Sequence, residues 1–499
     1  MKADSQLPRP QEIELKLALP TSDPANLAKR LARLPVLARR KATQLHLHNI
    51  YYDTPEQLLR QQRIALRLRR VGSETTPSWL QTLKTGGRSD SALSLRGEWE
   101  VPVSDAVLSR KALKGTPWSG IDPDGTLFAT LAPVFVTTFE RKIWLVRRRD
   151  ASVIEVALDI GQIVAGASSS AICELELELK SGRPAALFEL AREIAQTIAV
   201  LPVNVSKAER GYALARGIQD APLHANPAPL GSGLSLAQTA QRVLSEMFCQ
   251  FTTNLNILRS SDDPEVVHQA RVGWRRFKSA RRLFRPILAI DAMPQWQTLQ
   301  SLLTCLSKLR DLDVARMETL PPFADAYTAG DPRRAHSWQT MLLSLTLAAE
   351  LQRKTVRYAL QEPAVGAGLL ATSQWLEGLA ESTVADPARP DSKISLRRWV
   401  GHRIERLHEQ LEWACAQDCT SEQQHRIRIL AKRMRYGIEA LHSQLPKKRA
   451  QRWQRQASSL QASIGLTRDL MQAAMLVAEL EVDRGLAEFL RGLAAGQQS

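Results

Sequence analysis

The sequence has 499 residues, more than one ordinary hydrophobic core accommodates, so two or more domains are expected. Its net charge of +16 favours polyanionic partners: nucleic acid, an anionic membrane surface or polyphosphate. No apolar run approaches the roughly 18 residues of a membrane span, so we expect no membrane insertion. The N-terminus lacks the apolar core of a signal peptide, and the five irregularly spaced cysteines suit reduced thiols, so we predict a cytoplasmic protein.

Short segments that alternate apolar and polar residues fill the first 220 residues, and this period of two predicts β-strands. We predict strands at residues 12–19, 65–70, 79–84, 95–103, 139–147, 153–159 and 173–180. Turn-forming residues separate these segments, which favours an antiparallel barrel or a sandwich. Two helices are predicted among them, around residues 24–34 and 185–199.

Residues 217–233, rich in proline, glycine and small residues, are typical of a linker, and the period becomes helical after them. We therefore predict an all-α domain of long helices over residues 234–495. Two of its segments repeat: HQARVGWRRFK (268–278) matches HRIRILAKRMR (425–435), and LRDLD (309–313) matches TRDLM (467–471). The offsets are 157 and 158 residues, and two copies in the same order indicate an internal duplication.

Charged residues occupy one face of most of the predicted strands, as in EIELK (12–16) and CELELELK (173–180). If the strands close into a barrel, such faces point inward. Unpaired buried charge costs several kcal/mol, so the interior would have to be a polar, water-filled tunnel. Carboxylates bind hard divalent cations and Arg and Lys bind phosphate oxygens, so the pattern predicts a metal–phosphate site. The alternative is a sandwich with salt bridges across its exposed faces.

These motifs resemble those of CYTH domains, the triphosphate tunnel metalloenzymes. EIELKL is similar to the family's ExExK motif, and further likenesses follow in the family's order: YYDT (51–54), LRLR (66–69), QTLK (81–84), RGEWE (96–100), FERKIW (139–144), ALDIG (157–161), CELELELKSG (173–182) and SKAERGY (206–212). The resemblance covers residues 10–216. It implies an α+β domain with an eight-stranded antiparallel tunnel that hydrolyses or cyclises triphosphates with Mg²⁺ or Mn²⁺.

The resemblance also implies roles for individual residues. The metal would be held by Glu12, Glu14, Asp159, Glu174, Glu176 and Glu178. The phosphates would be bound by Lys16, Arg67, Arg69, Lys84, Arg141 and Lys207. Strand parity leaves the choice between Arg141 and Lys142 open. Glu98 and Glu100 would hold a second metal or orient water, which gives a catalytic set of Glu12, Glu14, Lys16, Glu98 and Glu100. The implied reaction is in-line attack of water on the terminal phosphorus.

The repeated segments of the helical half each place a basic stripe beside an apolar face. The stripes consist of His268, Arg271, Arg275 and Lys278 in the first copy and of His425, Arg428, Lys432 and Arg435 in the second. For one helix alone, the simpler interpretation is an ordinary solvated face. Such a face normally carries interspersed carboxylates, and neither stripe does. Two equivalent stripes that face each other would instead form a groove for an extended anion.

This half resembles the CHAD domain, a helical domain with repeated histidine–arginine helices, over residues 232–495. HQARVGWRRFK, HRIRILAKRMRY and LRDLDVA carry the likeness. The resemblance implies binding of long-chain inorganic polyphosphate and, in the cell, association with polyphosphate granules. The second copy departs from the motif, because Met471 follows Leu470 where Asp313 follows Leu312.

Four functions compete on this sequence. A metal-dependent inorganic triphosphatase, a hydrolase of phosphoanhydride bonds with an attached polyphosphate-binding domain, explains both halves and the net charge. A non-catalytic polyphosphate-binding protein would not need the complete acidic and basic set of the tunnel. Hydrolysis or cyclisation of an organic triphosphate, such as thiamine triphosphate or ATP, would need a feature that reads a base or a thiazole, and none is apparent. Nucleic acid is not expected as a partner, because aromatic residues make up only 5% and form no stacking platform.

Overall fold

The computed structural model describes residues 11–21, 23–72, 78–86, 92–227, 229–231, 233–289, 293–382, 395–417, 420–480 and 484–496. They form two compact units. The first, called the barrel unit, runs to Ala221 and includes Gln361–Gln374. The second, called the helical unit, comprises Pro222–Leu360 and the chain from Trp375 onward. The first ten residues, where no signal peptide is predicted, and residues 228 and 232 of the predicted linker lie outside the described residues.

The described residues of the barrel unit contain one antiparallel sheet. Its strands are β1 (Gln11–Ala18), β2 (Thr43–Asp53), β3 (Ile64–Val71), β4 (Ser78–Thr85), β5 (Leu93–Val103), β6 (Ala132–Arg147), β7 (Val153–Ala165), β8 (Ser168–Ser181) and β9 (Leu201–Pro202). They lie in the order β5-β4-β3-β2-β6-β7-β8-β1-β9. Because β1 pairs with β5 as well as with β8, eight strands close into a barrel, and β9 adds two residues beside β1. The predicted eight-stranded antiparallel barrel is confirmed.

The main hydrophobic core of this unit lies outside the barrel wall. The unit's helices are α1 (Pro24–Ala32), α2 (Leu58–Gln61), α3 (Trp118–Ile121), α4 (Thr126–Ala129), α5 (Ala185–Ile194) and α6 (Lys207–Ala215). Leu15 and Leu17 of β1 pack in one core cluster with Leu27 of α1, Leu190 of α5 and Leu370. Full burial of each such leucine stabilises the fold by roughly 1.5–3 kcal/mol. The apolar face of β1 therefore points outward, which leaves its charged face for the barrel interior.

A cluster of aromatic residues fixes the position of α6 against the barrel. Tyr51 of β2 stacks on Phe135 of β6 with ring centroids 4.5 Å apart, and Tyr212 of α6 meets Phe135 edge-on at 5.1 Å. A Cβ atom on Gly211 would lie 2.1 Å from the Phe135 ring, so only glycine allows α6 to approach this closely. Since α6 begins at Lys207, this contact determines where that lysine lies.

The later part of the chain is helical, and the predicted all-α character is confirmed. Its helices are α7 (Leu236–Ile257), α8 (Pro264–Phe284), α9 (Gln300–Val314), α10 (Ala324–Thr328), α11 (Pro332–Ala359), α12 (Pro363–Ser382), α13 (Leu396–Cys415), α14 (Ser421–Leu441), α15 (Lys447–Glu479) and α16 (Arg484–Gly496). The two copies of the repeated segment lie on α8 and α14, which pack against each other. None of the described helices combines the length and apolar character that a membrane span needs.

Candidate active site

The charged inner face of the barrel encloses a cavity of about 410 Å³. Its carboxylates are Glu12, Glu14, Glu98, Glu100, Glu155, Glu176 and Glu178. Its basic residues are Lys16, Arg67, Arg69, Lys84, Arg96, Arg141, Lys180 and Lys207. The six residues predicted to bind phosphate and four of the six predicted to bind metal thus line one cavity. Asp159 and Glu174 do not line it and are almost completely buried in the wall.

Strand register places carboxylates side by side on β1, β8 and β7. We call this row the acidic wall; its residues are Glu12, Glu14, Glu178 and Glu155. Glu14 of β1 lies directly opposite Glu178 of β8, which in turn lies opposite Glu155 of β7. Like charges opposite each other on neighbouring strands destabilise a sheet, so this row requires cations. Burial raises the pKa of Glu178, and the nearby carboxylates of Glu12 and Glu155 raise it further, although Lys180 acts in the opposite direction.

Basic residues of the facing strands pair with these carboxylates. The Lys84 Nζ atom lies 2.7 Å from Glu12 and 3.2 Å from Glu98, and Arg67 lies 3.5 Å from Glu98. Glu14 pairs with Lys16 on its own strand. Most charged side chains of the cavity thus have a partner of opposite sign, which is why they can be partly buried.

Arg69 is an exception to this balance. Its closest carboxylate oxygen, on Glu100, is 3.7 Å away, while Arg67 and Arg141 are close enough to repel it. Burial and these two neighbours lower the pKa of Arg69 to about 10. We call the six predicted phosphate-binding residues the basic wall: Lys16, Arg67, Arg69, Lys84, Arg141 and Lys207. Around Arg69 this wall is short of negative charge and suits a bound anion.

Asp159, Glu174 and Glu176 form a second acidic group, whose oxygens come within 4.8 Å of one another, close enough to share a metal ion. The Lys207 Nζ atom already contacts all three, at 2.6 Å from Asp159 and 2.9 Å from Glu176. Arg141 donates two hydrogen bonds to Asp159, of 2.8 and 2.6 Å. Burial raises the pKa of Glu176, but Lys207, Arg141 and Lys16 outweigh it and hold that pKa well below its usual range. The charge of this group is thus largely neutralised by the protein itself.

The structure decides between Arg141 and Lys142. Arg141 points into the cavity and contacts Asp159 and Glu176. The Lys142 Nζ atom lies 5.6 Å from the ring centroid of Trp144, a residue of the outer core. Alternation along β6 therefore assigns Arg141 to the site and leaves Lys142 outside it.

Three residues near the cavity were missed by sequence reasoning. Lys180 lies on the same strand face as the glutamates of CELELELK, so its parity was a usable signal. Arg210, one helical turn after Lys207, lies 3.3 Å from Glu174. The hydroxyl of Tyr51 accepts a hydrogen bond of 3.4 Å from Arg67. Burial would raise the pKa of Tyr51, but Arg67 and the nearby Arg69 and Lys84 lower it.

In the helical unit, the two basic stripes approach each other. Arg275 of α8 lies within electrostatic reach of Arg428 and Lys432 of α14, and Arg468 of α15 adjoins both copies. Burial and repulsion by Arg428, Arg275 and Arg468 lower the pKa of Lys432 to about 7. We call Arg271, Arg275, Arg310, Arg428, Lys432 and Arg468 the basic cluster.

The basic cluster includes only part of the predicted stripes. His425 is exposed on α14, Arg435 donates a 2.5 Å hydrogen bond to Gln461, and Lys278 is exposed farther along α8. Arg310 and Arg468 were not predicted, although both stand in the repeated RDL motif, which was the available signal.

Three carboxylates supply negative charge to the basic cluster: Asp311, Asp469 and Glu318, which lies 2.8 Å from Arg310. Asp311 lies near Arg271 and Arg468, and Asp469 lies near Arg468 and Arg428. Burial nevertheless raises the pKa of both aspartates. Three carboxylates therefore face the six cations of the cluster among the described residues of this region, which leaves the basic cluster positive.

Comparisons with known proteins find different families for the earlier and the later part of the chain. Residues 10–212 match the CYTH domain family model, and residues 242–478 match the CHAD domain family model. An inorganic triphosphatase of Haemophilus influenzae is 37% identical over 205 residues, which are 41% of this chain and 55% of that protein. The chain thus spans about half the length of this curated relative.

Similar solved structures exist for both parts. The crystal structure of the CHAD domain from the plant Ricinus communis shares 26% identity, with a TM-score of 0.47, over 56% of this chain and 91% of that one. A Hippeastrum protein, described as a candidate adenylyl cyclase with a dominant triphosphatase activity, shares 18% identity with a TM-score of 0.31, over 42% of this chain and 96% of its own. From the two family matches, the chain contains a CYTH domain followed by a CHAD domain.

Proposed function

We propose that the barrel unit hydrolyses inorganic triphosphate to phosphate and diphosphate, with Mg²⁺ or Mn²⁺ as cofactor. The observation that carries this proposal is one cavity whose lining includes both seven carboxylates and eight basic residues. A metal–triphosphate complex needs both kinds of group within reach of one ligand. The similarity to an inorganic triphosphatase supports the same substrate.

The carboxylates of the acidic wall fit a hard divalent cation. Mg²⁺ and Mn²⁺ prefer oxygen ligands, and Glu14 and Glu178 stand opposite each other with Glu12 nearby. We assign the metal to Glu12, Glu14 and Glu178, with Glu176 at its edge. When bound, the metal would neutralise charge on the phosphate oxygens.

Asp159 and Glu174 take a different role in this proposal. Neither lines the cavity, and both are held by Lys207, with Asp159 also held by Arg141, so a metal there would lie within the barrel wall and would have to displace two cations. We propose that these carboxylates position Lys207 and Arg141 for phosphate instead. Both assignments depart from the metal set that the family resemblance implied.

The basic residues then act on the phosphate chain. Lys16, Arg67, Arg69, Lys84, Arg141 and Lys207 would exchange their carboxylate partners for phosphate oxygens and stabilise the charge that spreads over the terminal phosphoryl group in the transition state. Glu98 and Glu100 lie beside Lys84 and Arg67, at the edge of this basic wall, where they would orient the attacking water.

We further propose that the helical unit binds long-chain inorganic polyphosphate at the basic cluster. Six cations from four helices meet there with only three carboxylates, and an extended polyanion would relieve their mutual repulsion by neutralising their charge. On this proposal residues 10–216 and 234–495 are the functional domains, residues 217–233 link them, and the protein associates with polyphosphate granules in the cytoplasm.

The test of the triphosphatase proposal is a substrate comparison. Purified full-length protein is offered tripolyphosphate, ATP and thiamine triphosphate in parallel under Mg²⁺ and under Mn²⁺, and phosphate release is measured. We expect the highest kcat/KM for tripolyphosphate. A higher value for either organic substrate would reassign the substrate, and no turnover of any of the three would overturn the proposal.

A further inference from the structure

Lys180 stands at the open end of the barrel cavity. Side-chain exposure rises along β8, from 5% at Glu174 to 13% at Glu176, 28% at Glu178 and 40% at Lys180. These residues share one strand face, so the rising exposure marks the direction in which the cavity opens to solvent. Lys180 is therefore the outermost charged residue of this row.

The ammonium group of Lys180 neutralises part of the acidic wall. Its Nζ atom lies 2.7 Å from Glu178 and 3.6 Å from Glu155, two carboxylates that face each other across β7 and β8. The lysine therefore relieves a repulsion that the strand register imposes.

The phosphate-binding residues do not include Lys180. Most of them pair with Glu98, Glu100, Asp159 or Glu176. Lys84 and Lys16 also contact proposed metal ligands, Glu12 and Glu14, but both are more deeply buried than Lys180, which contacts Glu178 at the exposed end of the row. A divalent ion coordinated by Glu178 and the Lys180 ammonium would compete for the same oxygens. They would also repel each other, since two positive charges a few ångströms apart interact strongly near a protein surface.

We propose that the Lys180 ammonium neutralises Glu178 and Glu155 when no metal is bound, and that a divalent ion displaces it from these carboxylates when it binds. The inference rests on the proposed metal site at Glu12, Glu14 and Glu178. Displacement is feasible because the side chain is partly exposed and its stem is long and flexible. Lys180 is thus a positioning residue that sets metal affinity, since every metal-binding event must first separate it from Glu178.

The experiment measures Mn²⁺ binding directly, by electron paramagnetic resonance titration of the full-length protein without substrate. Lys180→Met removes the competing charge and keeps the apolar stem, so we expect a Kd for Mn²⁺ about tenfold lower than in the wild type. Lys180→Arg keeps the charge and should bind Mn²⁺ as the wild type does. Lys142→Met removes an equal charge from the outer face of β6 in the same barrel and should leave the Kd unchanged.

A second measurement guards against misfolding of the variant. Mn²⁺ raises the thermal unfolding midpoint of any form that binds it, and tighter binding gives a larger rise. Lys180→Met should therefore have a lower midpoint than the wild type without metal, because Glu155 and Glu178 then repel each other, and a larger rise on adding Mn²⁺. Equal or weaker Mn²⁺ binding by Lys180→Met, alongside clear binding by the wild type, would overturn the inference alone. No Mn²⁺ binding by the wild type would overturn the proposed metal site as well.

Discussion

The two units arrange their charged side chains in opposite ways. In the barrel, basic residues and carboxylates pair across the cavity, as Lys84 does with Glu12 and Arg141 with Asp159. In the helical unit, Arg275, Arg428 and Lys432 lie near one another with too few carboxylates to balance them. A paired site can bind a cation and an anion together by exchanging partners, whereas an unpaired cluster can only bind anions. This difference is the physical basis for assigning catalysis to the barrel and polyphosphate binding to the helices.

The largest effect on activity is expected from neutralising the carboxylates of the proposed metal site in the barrel. Glu12→Gln combined with Glu14→Gln deletes two charges of the proposed metal site, so phosphate release from tripolyphosphate should fall by about a thousandfold or more. Circular dichroism should show an intact fold, because both side chains keep their size. If the double variant retained metal-dependent turnover, the acidic wall would not be the metal site.

Next in size is the loss of two equivalent cations from the basic cluster. Arg271→Ala with Arg428→Ala should weaken long-chain polyphosphate binding by about a hundredfold, because each copy loses a half-buried charge. Isothermal titration calorimetry would measure this, and tripolyphosphate turnover in the barrel should not change.

The matched control replaces two exposed arginines outside the cluster, as Arg333→Ala with Arg455→Ala. It has the same net charge as the double variant of the cluster. Equal loss of affinity in both would show that binding follows total charge and not the cluster.

Asp159→Asn sharpens the distinction between a metal ligand and a residue that positions cations. The change leaves Arg141 and Lys207 with less negative charge, so we expect a KM for tripolyphosphate about tenfold higher and a lower unfolding midpoint. Mn²⁺ affinity should stay within about twofold of the wild type. A large loss of Mn²⁺ affinity would instead make Asp159 a metal ligand.

The smallest effect concerns pH and Lys432. Its pKa of about 7 in the folded protein is below that of an unfolded lysine, so Lys432 loses its charge as pH rises through 7. Polyphosphate favours the charged form, and its affinity should therefore fall several-fold between pH 6 and pH 8.5. In the unfolded chain Lys432 keeps its proton up to about pH 10. The contribution of Lys432 to the free energy of unfolding therefore rises with pH between about 7 and about 10.

The control is Lys432→Met, which should flatten this part of the pH dependence while the remaining cations still bind polyphosphate. Arg428, Arg275 and Arg468 repel Lys432, and Asp469 is the carboxylate that opposes them. An unchanged pH profile in the variant would assign the titration to another group.

Strand alternation made the inner face of the barrel predictable, since EIELK and CELELELK show a period of two. Strand β2 was missed as a strand, because its motif YYDT was interpreted only through the family resemblance. The choice between Arg141 and Lys142 also could not be made, since both strand faces carry charge there and only the sheet position separates them. Such parity is set by tertiary pairing and not by local sequence.

The repeat was readable in the helical half, but its exceptions were not. Glu439 stands where the first copy has Arg282, and the structure shows why. Arg276, fully buried on α8, lies 2.7 Å from Glu439 and 3.1 Å from Glu246. The departure from the repeat thus serves an ion pair between the two copies. No local pattern reveals such a partner, because it lies far away along the chain.

The most direct test of the central claim is tripolyphosphate hydrolysis followed with and without divalent metal. Wild-type protein in Mg²⁺ should release one phosphate and one diphosphate per substrate, stop when EDTA is added, and resume when Mg²⁺ is restored. Hydrolysis that continues in EDTA, or no hydrolysis in Mg²⁺ or Mn²⁺, would contradict the assignment of the barrel as a metal-dependent triphosphatase site.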